Sequence, residues 1–303
     1  MDKARSPDPP APLGLVRDAY DSCMDVDKIN EEGRHGAVGV FKHLLATLDL
    51  YFHEESNRGK PGPLETRDWQ PTEDHVWYKL LQKARKIGAA GKWSFLSSTS
   101  VFIKFSVIVD LDNPSKYIMS LDQQEPPLKM PRKYLLGTST SRVQSVYKET
   151  MVEFFTKLLG AEEDLAKEIA DELLEFEKEL ASIMKPEKER QEKKLLYRTR
   201  TQIKDLSVKT GIDIPWLDHL KKMLGEDNVP LNLNEDAEVV ICNSEDYMMK
   251  LGRLLKDSVT PPRVQVSYII WRLIAEMHGF LNEEALDIGF KITGPLSRLN
   301  QVR

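Results

Sequence analysis

Residues 162–186 read Glu162-Glu163-Asp164-Leu165-Ala166-Lys167-Glu168-Ile169-Ala170-Asp171-Glu172-Leu173-Leu174-Glu175-Phe176-Glu177-Lys178-Glu179-Leu180-Ala181-Ser182-Ile183-Met184-Lys185-Pro186. Within them Leu165, Ile169, Leu173, Phe176, Leu180 and Ile183 step by 4, 4, 3, 4 and 3. That spacing puts one apolar stripe on an α-helix and predicts a long helix with the stripe buried. Glu162 and Glu163 suit its start, where acidic groups meet the positive end of the helix dipole. Lys185-Pro186 stops it. The many carboxylates of 162–179, with Lys167 and Lys178 among them, read as a solvated face with i,i+4 pairs and not as catalytic acids.

On the N-terminal side, Val143 to Leu159 predicts another helix, with Val146, Met151, Phe154, Phe155 and Leu158 apolar and Gly160 as its stop. Before it the period changes. Residues 100–109, Ser-Val-Phe-Ile-Lys-Phe-Ser-Val-Ile-Val, are β-branched and aromatic, Asp110 to Pro114 is a turn cluster, and Lys116 to Leu121 is a second strand. Two strands about a turn predict a β-hairpin near 100–121, which must pack on helices to be stable. Further upstream, Leu15–Met24, Gly36–Phe52 and the segment carrying Val76, Leu80, Leu81 and Ala84 predict helices. The last ends near the Gly88–Gly91 break, and Glu54–Thr72 reads as a loop.

On the C-terminal side, Glu187–Lys194 is a charge run, and Ile203–Leu206 and Trp216–Leu224 predict short helices. Glu238–Cys242 predicts a short strand and Tyr247–Leu255 a helix. Val264–Leu281 is apolar on two faces, one carrying Val264, Tyr268, Trp271 and Ala275, the other Val266, Ile270, Leu273, Met277 and Phe280. A helix apolar nearly all round belongs inside a bundle. The fold class expected is mainly α, a bundle-like lobe with a small hairpin. The expected organisation is a disordered lead-in over 1–14, a mixed part over 15–136 and a helical part over 137–303. One continuous domain over 15–303 is the alternative, and the break at Gly137–Ser141 is the best internal boundary.

The chain has 303 residues, enough to bury a core, with 43 basic and 48 acidic side chains and a net charge of −5. That balance argues against a general nucleic-acid binder, and Lys185–Lys194 mixes both signs without interleaved aromatics. No run of about 18 apolar residues exists to span a bilayer. Residues 1–12 hold four prolines and no apolar core of a secretory signal. The nearest glycosylation triplet, Asn113-Pro114-Ser115, carries the excluded proline. Taken alone, these features point to the cytosol, or to a piece of something larger.

Chemistry is sparse. A helical zinc peptidase needs His-Glu-x-x-His, two imidazoles one turn apart with a general-base Glu. None of the six histidines, at 35, 43, 53, 75, 219 and 278, has a partner four residues on. His53-Glu54-Glu55-Ser56-Asn57 comes nearest, ends on Asn57, and reads as loop. Two cysteines, Cys23 and Cys242, exclude a disulfide-dense scaffold and a Cys-rich zinc site. Cys23 reads as a buried or formerly paired thiol rather than a nucleophile, and Cys242 as a core-facing residue. Tyr268 and Trp271 read as core. No Gly-x-Ser-x-Gly, phosphate-binding loop or dinucleotide fingerprint occurs.

Several strings taken in order are similar to the neprilysin and endothelin-converting enzyme family of zinc metalloendopeptidases, in the N-terminal region that precedes the zinc motif. They are Ala19-Tyr20-Asp21-Ser22-Cys23-Met24-Asp25 with Ile29-Asn30-Glu31-Glu32-Gly33, and Phe176 to Ile183 with Lys185-Pro186-Glu187. Next come Lys194-Leu195-Leu196-Tyr197, Trp216-Leu217, Val239-Val240-Ile241, Tyr247 to Leu251 and Ser267 to Arg272. The likeness runs from about Leu15 to the end.

The resemblance implies a helical lobe that covers the cleft of the full enzyme and limits entry to small peptides. In the family a Cys-containing segment follows this region, then an Asn-Ala substrate segment, the His-Glu-x-x-His helix, and a Glu-x-x-x-Asp helix with the third zinc ligand. The expectation is that the chain stops at Arg303 before all of these. No catalytic or metal residue then carries over, and zinc is a cofactor of the full-length family and not of this chain. Cys23 matches a family cysteine whose partner lies beyond Arg303, so it is expected to be unpaired. The expected reading is a truncated N-terminal lobe, inactive by itself in peptide proteolysis. Its alternative is a non-catalytic module that binds peptides or the catalytic lobe of a relative. A generic helical adaptor ranks last. Family members work outside the cell or anchored to its membrane.

Overall fold

In the computed structural model the described residues are 14, 36–51, 61–87, 100–137, 141–186, 188–190, 198–224, 233–242 and 244–301. The helix expected at Leu15–Met24, Cys23, the strings within Ala19–Gly33, the His53–Asn57 string, the Gly88–Gly91 break and Lys194–Tyr197 lie outside them.

The central element is the helix read first. It spans Glu163–Ile183 (α5), and its N-cap Glu162 accepts a hydrogen bond from the Asp164 N–H at 3.3 Å. Leu165, Ile169, Leu173, Phe176 and Leu180 are all buried. The opposite side is the solvated face expected, with Lys167 on Glu163 at 2.6 Å and Lys178 on Glu175 at 2.7 Å. Four helices pack on α5: Arg132–Leu136 (α3), Ser141–Glu153 (α4), Glu245–Leu254 (α8) and Pro262–Met277 (α9). At its end α4 widens into a π turn, Phe154–Leu158, and closes at Gly160, whose φ of +75° suits glycine. The wide turn sets both Phe154 and Phe155 against Trp271, with ring centroids 5.9 and 6.1 Å away.

Ala37–Thr47 (α1) and Trp77–Ile87 (α2) fall where the sequence places them. Ahead of α2, Thr72 and His75 form a capping box: the Thr72 hydroxyl accepts from Asp74 N–H, and His75 Nδ1 accepts from Thr72 N–H at 2.9 Å. Downstream lie Leu206–Thr210 (α6) and Trp216–Leu224 (α7), and Glu283–Gln301 (α10) is the last helix.

The expected hairpin is present as Ile103–Val109 (β1) and Tyr117–Gln123 (β2), antiparallel, with Phe105 opposite Leu121. It is half of a larger sheet. Glu238–Cys242 (β4) pairs in parallel with β2, and Arg198–Gln202 (β3) pairs antiparallel with β4, giving the order β1-β2-β4-β3. Nothing in the sequence of residues 198–202 predicts a strand, so β3 is an addition to the expected hairpin and short strand.

Two further differences stand out. Phe280, expected on a buried face, is 77% exposed, because α9 ends at Met277 and the tighter turn His278–Phe280 swings the face round. Glu177, expected among solvated carboxylates, is 1% exposed. One hydrophobic cluster runs from Phe41 to Ile292 and takes residues from both sides of 137–141. Tyr247 Oη, donating to Phe102 O at 2.6 Å, ties the start of β1 to α8.

Candidate functional site

Glu177 follows Leu173 by four residues and precedes Leu180 by three, so it shares their side of α5 and is carried into the seam with α4 and α9. There Tyr147 Oη donates to Glu177 Oε1 at 3.2 Å and Trp271 Nε1 donates to the same oxygen at 2.9 Å. Among the described residues Oε2 has no partner. Burial pushes the carboxyl pKa up to about 8, against the pull of its two donors and of Arg272. Glu177 is therefore a neutral acid at pH 7, and the signal for it in the sequence was its helical phase. Burial, and then the neighbouring Glu177, hold the Tyr147 phenol well above its usual range. The next residue on α9, Arg272, is a buried clamp. Its guanidinium donates to Glu125 O at 2.7 Å, to Ser100 O at 3.1 Å and to Glu276 Oε1 at 3.1 Å. These bonds fasten the chain on either side of the hairpin to α9.

A second enclosed group is His219 on α7, packed edge-on against Trp77, Phe105, Tyr78 and Trp216 with centroids 5.8, 5.4, 6.0 and 6.4 Å away. The Gln82 amide nitrogen donates to its Nδ1 at 3.1 Å, which places the ring proton on Nε2. Burial lowers its pKa to about 4, so the ring is neutral. Among the described residues, Glu177 is bonded by the side chains of Tyr147 and Trp271, and His219 by that of Gln82, contacts that tie the helices together.

The described residues do not fit a zinc ion. Among them no group of three His, Cys, Asp or Glu side chains could hold a metal. The His75 ring is used at both nitrogens, by Thr72 and by Asp49 O at 3.2 Å, and His278 Nδ1 donates to Ala275 O at 2.8 Å. Cys242 is half-buried, not fully core-facing, and its Sγ lies 2.9 Å from Ser120 Oγ.

Two clefts open beside the core. One, of about 440 Å³, lies between the start of α2, the α6–α7 loop and the α8–α9 junction, with Tyr78, Ile214, Lys256 and Gln265 in its wall. The other, of about 340 Å³, is lined by Glu125, Leu128, Lys129, Arg272, Glu276 and Thr293. Leu128 and Lys129 both have positive φ, +50° and +53°, a conformation that is costly away from glycine. Either cleft can take a side chain or a chain end. In the wall of the first, the Thr72 hydroxyl lies 2.9 Å from His75 Nδ1, but that nitrogen already accepts the Thr72 N–H and Nε2 is spent on Asp49 O, so the pair serves as a helix cap.

The fold and this inventory agree with three likenesses. The chain is 32% identical to neprilysin-2 of Drosophila melanogaster over 216 residues, which is 71% of this chain and 26% of that protein. It is 28% identical to endothelin-converting enzyme 1 of Bos taurus over 189 residues, 62% of this chain and 24% of that one. The chain thus spans about a quarter of the length of the curated relatives it matches. Its backbone superposes on the zinc metalloprotease Zmp1 of Mycobacterium tuberculosis with a TM-score of 0.65 at 17% identity, covering 91% of this chain and 35% of that one. The model of the N-terminal part of Peptidase family M13 matches residues 1–302, and the chain belongs to that family.

Proposed function

We propose that this chain is the helical lobe that covers the active-site cleft in neprilysin-like zinc metalloendopeptidases, and that it cleaves no peptide by itself. The carrying observation is the match of the N-terminal family model over residues 1–302, beside an alignment of 216 residues that covers about a quarter of a curated relative. A continuous core from Phe41 to Ile292 supports a lobe that keeps its own shape. In this reading its residues bound a space, and peptide hydrolysis belongs to the remaining length of the relatives. Metal analysis of the purified chain, with an assay on short peptides, tests it. The expected result is well under one zinc per chain and no cleavage. Stoichiometric zinc with chelator-sensitive cleavage overturns it.

A second reading is a non-catalytic module that binds peptides. The intact core and the open cleft of about 440 Å³ favour it.

A further inference from the structure

The sheet has two edges, and they differ. The β3 edge is five residues long and carries Arg198 and Arg200. Charge and shortness are the usual protection of an edge against further pairing. The β1 edge is seven residues, Ile-Lys-Phe-Ser-Val-Ile-Val, with one charge, at Lys104, and no proline.

The register fixes which backbone groups of β1 are spent. Asp110 N–H donates to Lys116 O at 2.9 Å, so the pair beyond Val109 and Tyr117 is a bonded one. Bonded pairs alternate in an antiparallel ladder, so Ile108, Ser106 and Lys104 point their N–H and C=O at β2. Ile103, Phe105, Val107 and Val109 point theirs outward. Among the described residues nothing bonds these outward groups. Beside them Val109, Leu111 and Tyr117 leave apolar surface at the hairpin tip, 46%, 52% and 62% exposed.

We propose that the open edge of β1 binds an extended peptide segment by strand addition, its alternate apolar side chains lying on the Val107–Val109–Tyr117 face. Backbone pairing supplies affinity in this mode and the apolar face supplies selection. Charge sets the direction. At the tip Asp110, Asp112 and Glu238 surround Arg200, with Lys116 exposed nearby, and these five groups carry a net negative charge. Lys104 is exposed at the other end. A peptide with a basic N-terminal end at the tip and its carboxylate near Lys104 runs antiparallel to β1. This deepens the peptide-binding reading above by naming where the peptide lies.

The test uses the full chain and a fluorescein-labelled heptapeptide, Arg-Val-Thr-Val-Thr-Val-Glu, with a free carboxylate. Only alternate amides of an added strand face β1. N-methylation of the Val amides and N-methylation of the Thr amides should therefore differ. One set is expected to weaken binding about tenfold or more, the other less than about threefold. Hydrogen exchange at Phe105 and Val107 should slow on binding. Val107→Pro removes an outward N–H and spares the β1–β2 ladder, so it should weaken binding about tenfold, with unchanged circular dichroism showing that it folds. The N-methyl series alone decides if that variant does not fold. Saturable binding with both methylated sets equal, or with no slowing at Phe105 and Val107, overturns the edge site and leaves the peptide-binding reading standing. Lack of saturable binding up to about 1 mM overturns both.

Discussion

Glu177 and His219 are both enclosed and both neutral, and they act in opposite directions on the pH axis. The folded pKa of Glu177, about 8, lies above its ordinary 4.5. The unfolded chain releases that proton first, so the folded state loses stability as pH rises from 4.5 to about 8, by about 1.4 kcal/mol per unit. His219 has a folded pKa of about 4 against an ordinary 6.5. Here the unfolded chain takes up a proton first, and stability falls as pH drops from 6.5 to about 4. Between 4.5 and 6.5 the two slopes cancel, and above 6.5 Glu177 acts alone. Urea unfolding should therefore give a plateau on the acid side of neutrality and a decline towards pH 8. Glu177→Gln keeps an oxygen for Tyr147 and Trp271 and should flatten the decline, while His219→Phe should remove the loss at low pH. A Glu177→Gln variant with the wild-type alkaline slope would count against this assignment. Residue type does not set Glu177 apart, because α5 carries many carboxylates; only its phase with Leu173 and Leu180 places it alone among them on the buried side.

At the scale of elements, α6 and α8 are held at an approach that only glycine permits. A Cβ at Gly252 would sit 2.5 Å from Gly211 O and 3.0 Å from Thr210 O, which are backbone atoms that cannot step aside cheaply. Alanine in a helix normally gains about 1 kcal/mol over glycine. Overpacking of this kind costs about 1–3 kcal/mol or more. Gly252→Ala should lower the unfolding free energy by about 1–2 kcal/mol, read from the urea midpoint at constant slope. A stabilised variant would show that the two helices are free to separate. Which elements were legible follows from how they gain stability. The stripe of α5 appears in the sequence because it buries its own apolar face, and β1 appears because its residues are β-branched and aromatic. The strand β3, Arg-Thr-Arg-Thr-Gln, has no apolar residue and becomes a strand only because β4 offers it a ladder. Helix α10 carries Gly289, Gly294 and Pro295, which read as breakers, yet Ala285, Ile288 and Ile292 bury at helical spacing against the core. Of the candidate site, the absence of a His pair four residues apart was readable. The open backbone edge of β1 was not, because an unspent N–H has no letter in the sequence.

For the molecule as a whole, the fold belongs to the N-terminal part of Peptidase family M13, and its matched segments make up about a quarter of the curated relatives' length. Apolar groups remain outside on the last helix and the turn before it, at Phe280, Leu286 and Phe290, and such surface promotes association. The order of the sheet has a further effect. Strands β2 and β4 are neighbours in space, yet residues 124–237 lie between them in the chain. A contact of such sequence separation forms slowly, since a long loop must close before any ladder bond rewards it. Pulse-labelled exchange during refolding should show α5 amides protected before those of Val239–Ile241, and simultaneous protection would argue against this sequence of events. A nascent chain emerging from the ribosome can complete the hairpin early, but it must then carry the inner edge of β2 bare until β4 has been translated. That interval, more than the finished fold, is when this polypeptide most needs a chaperone.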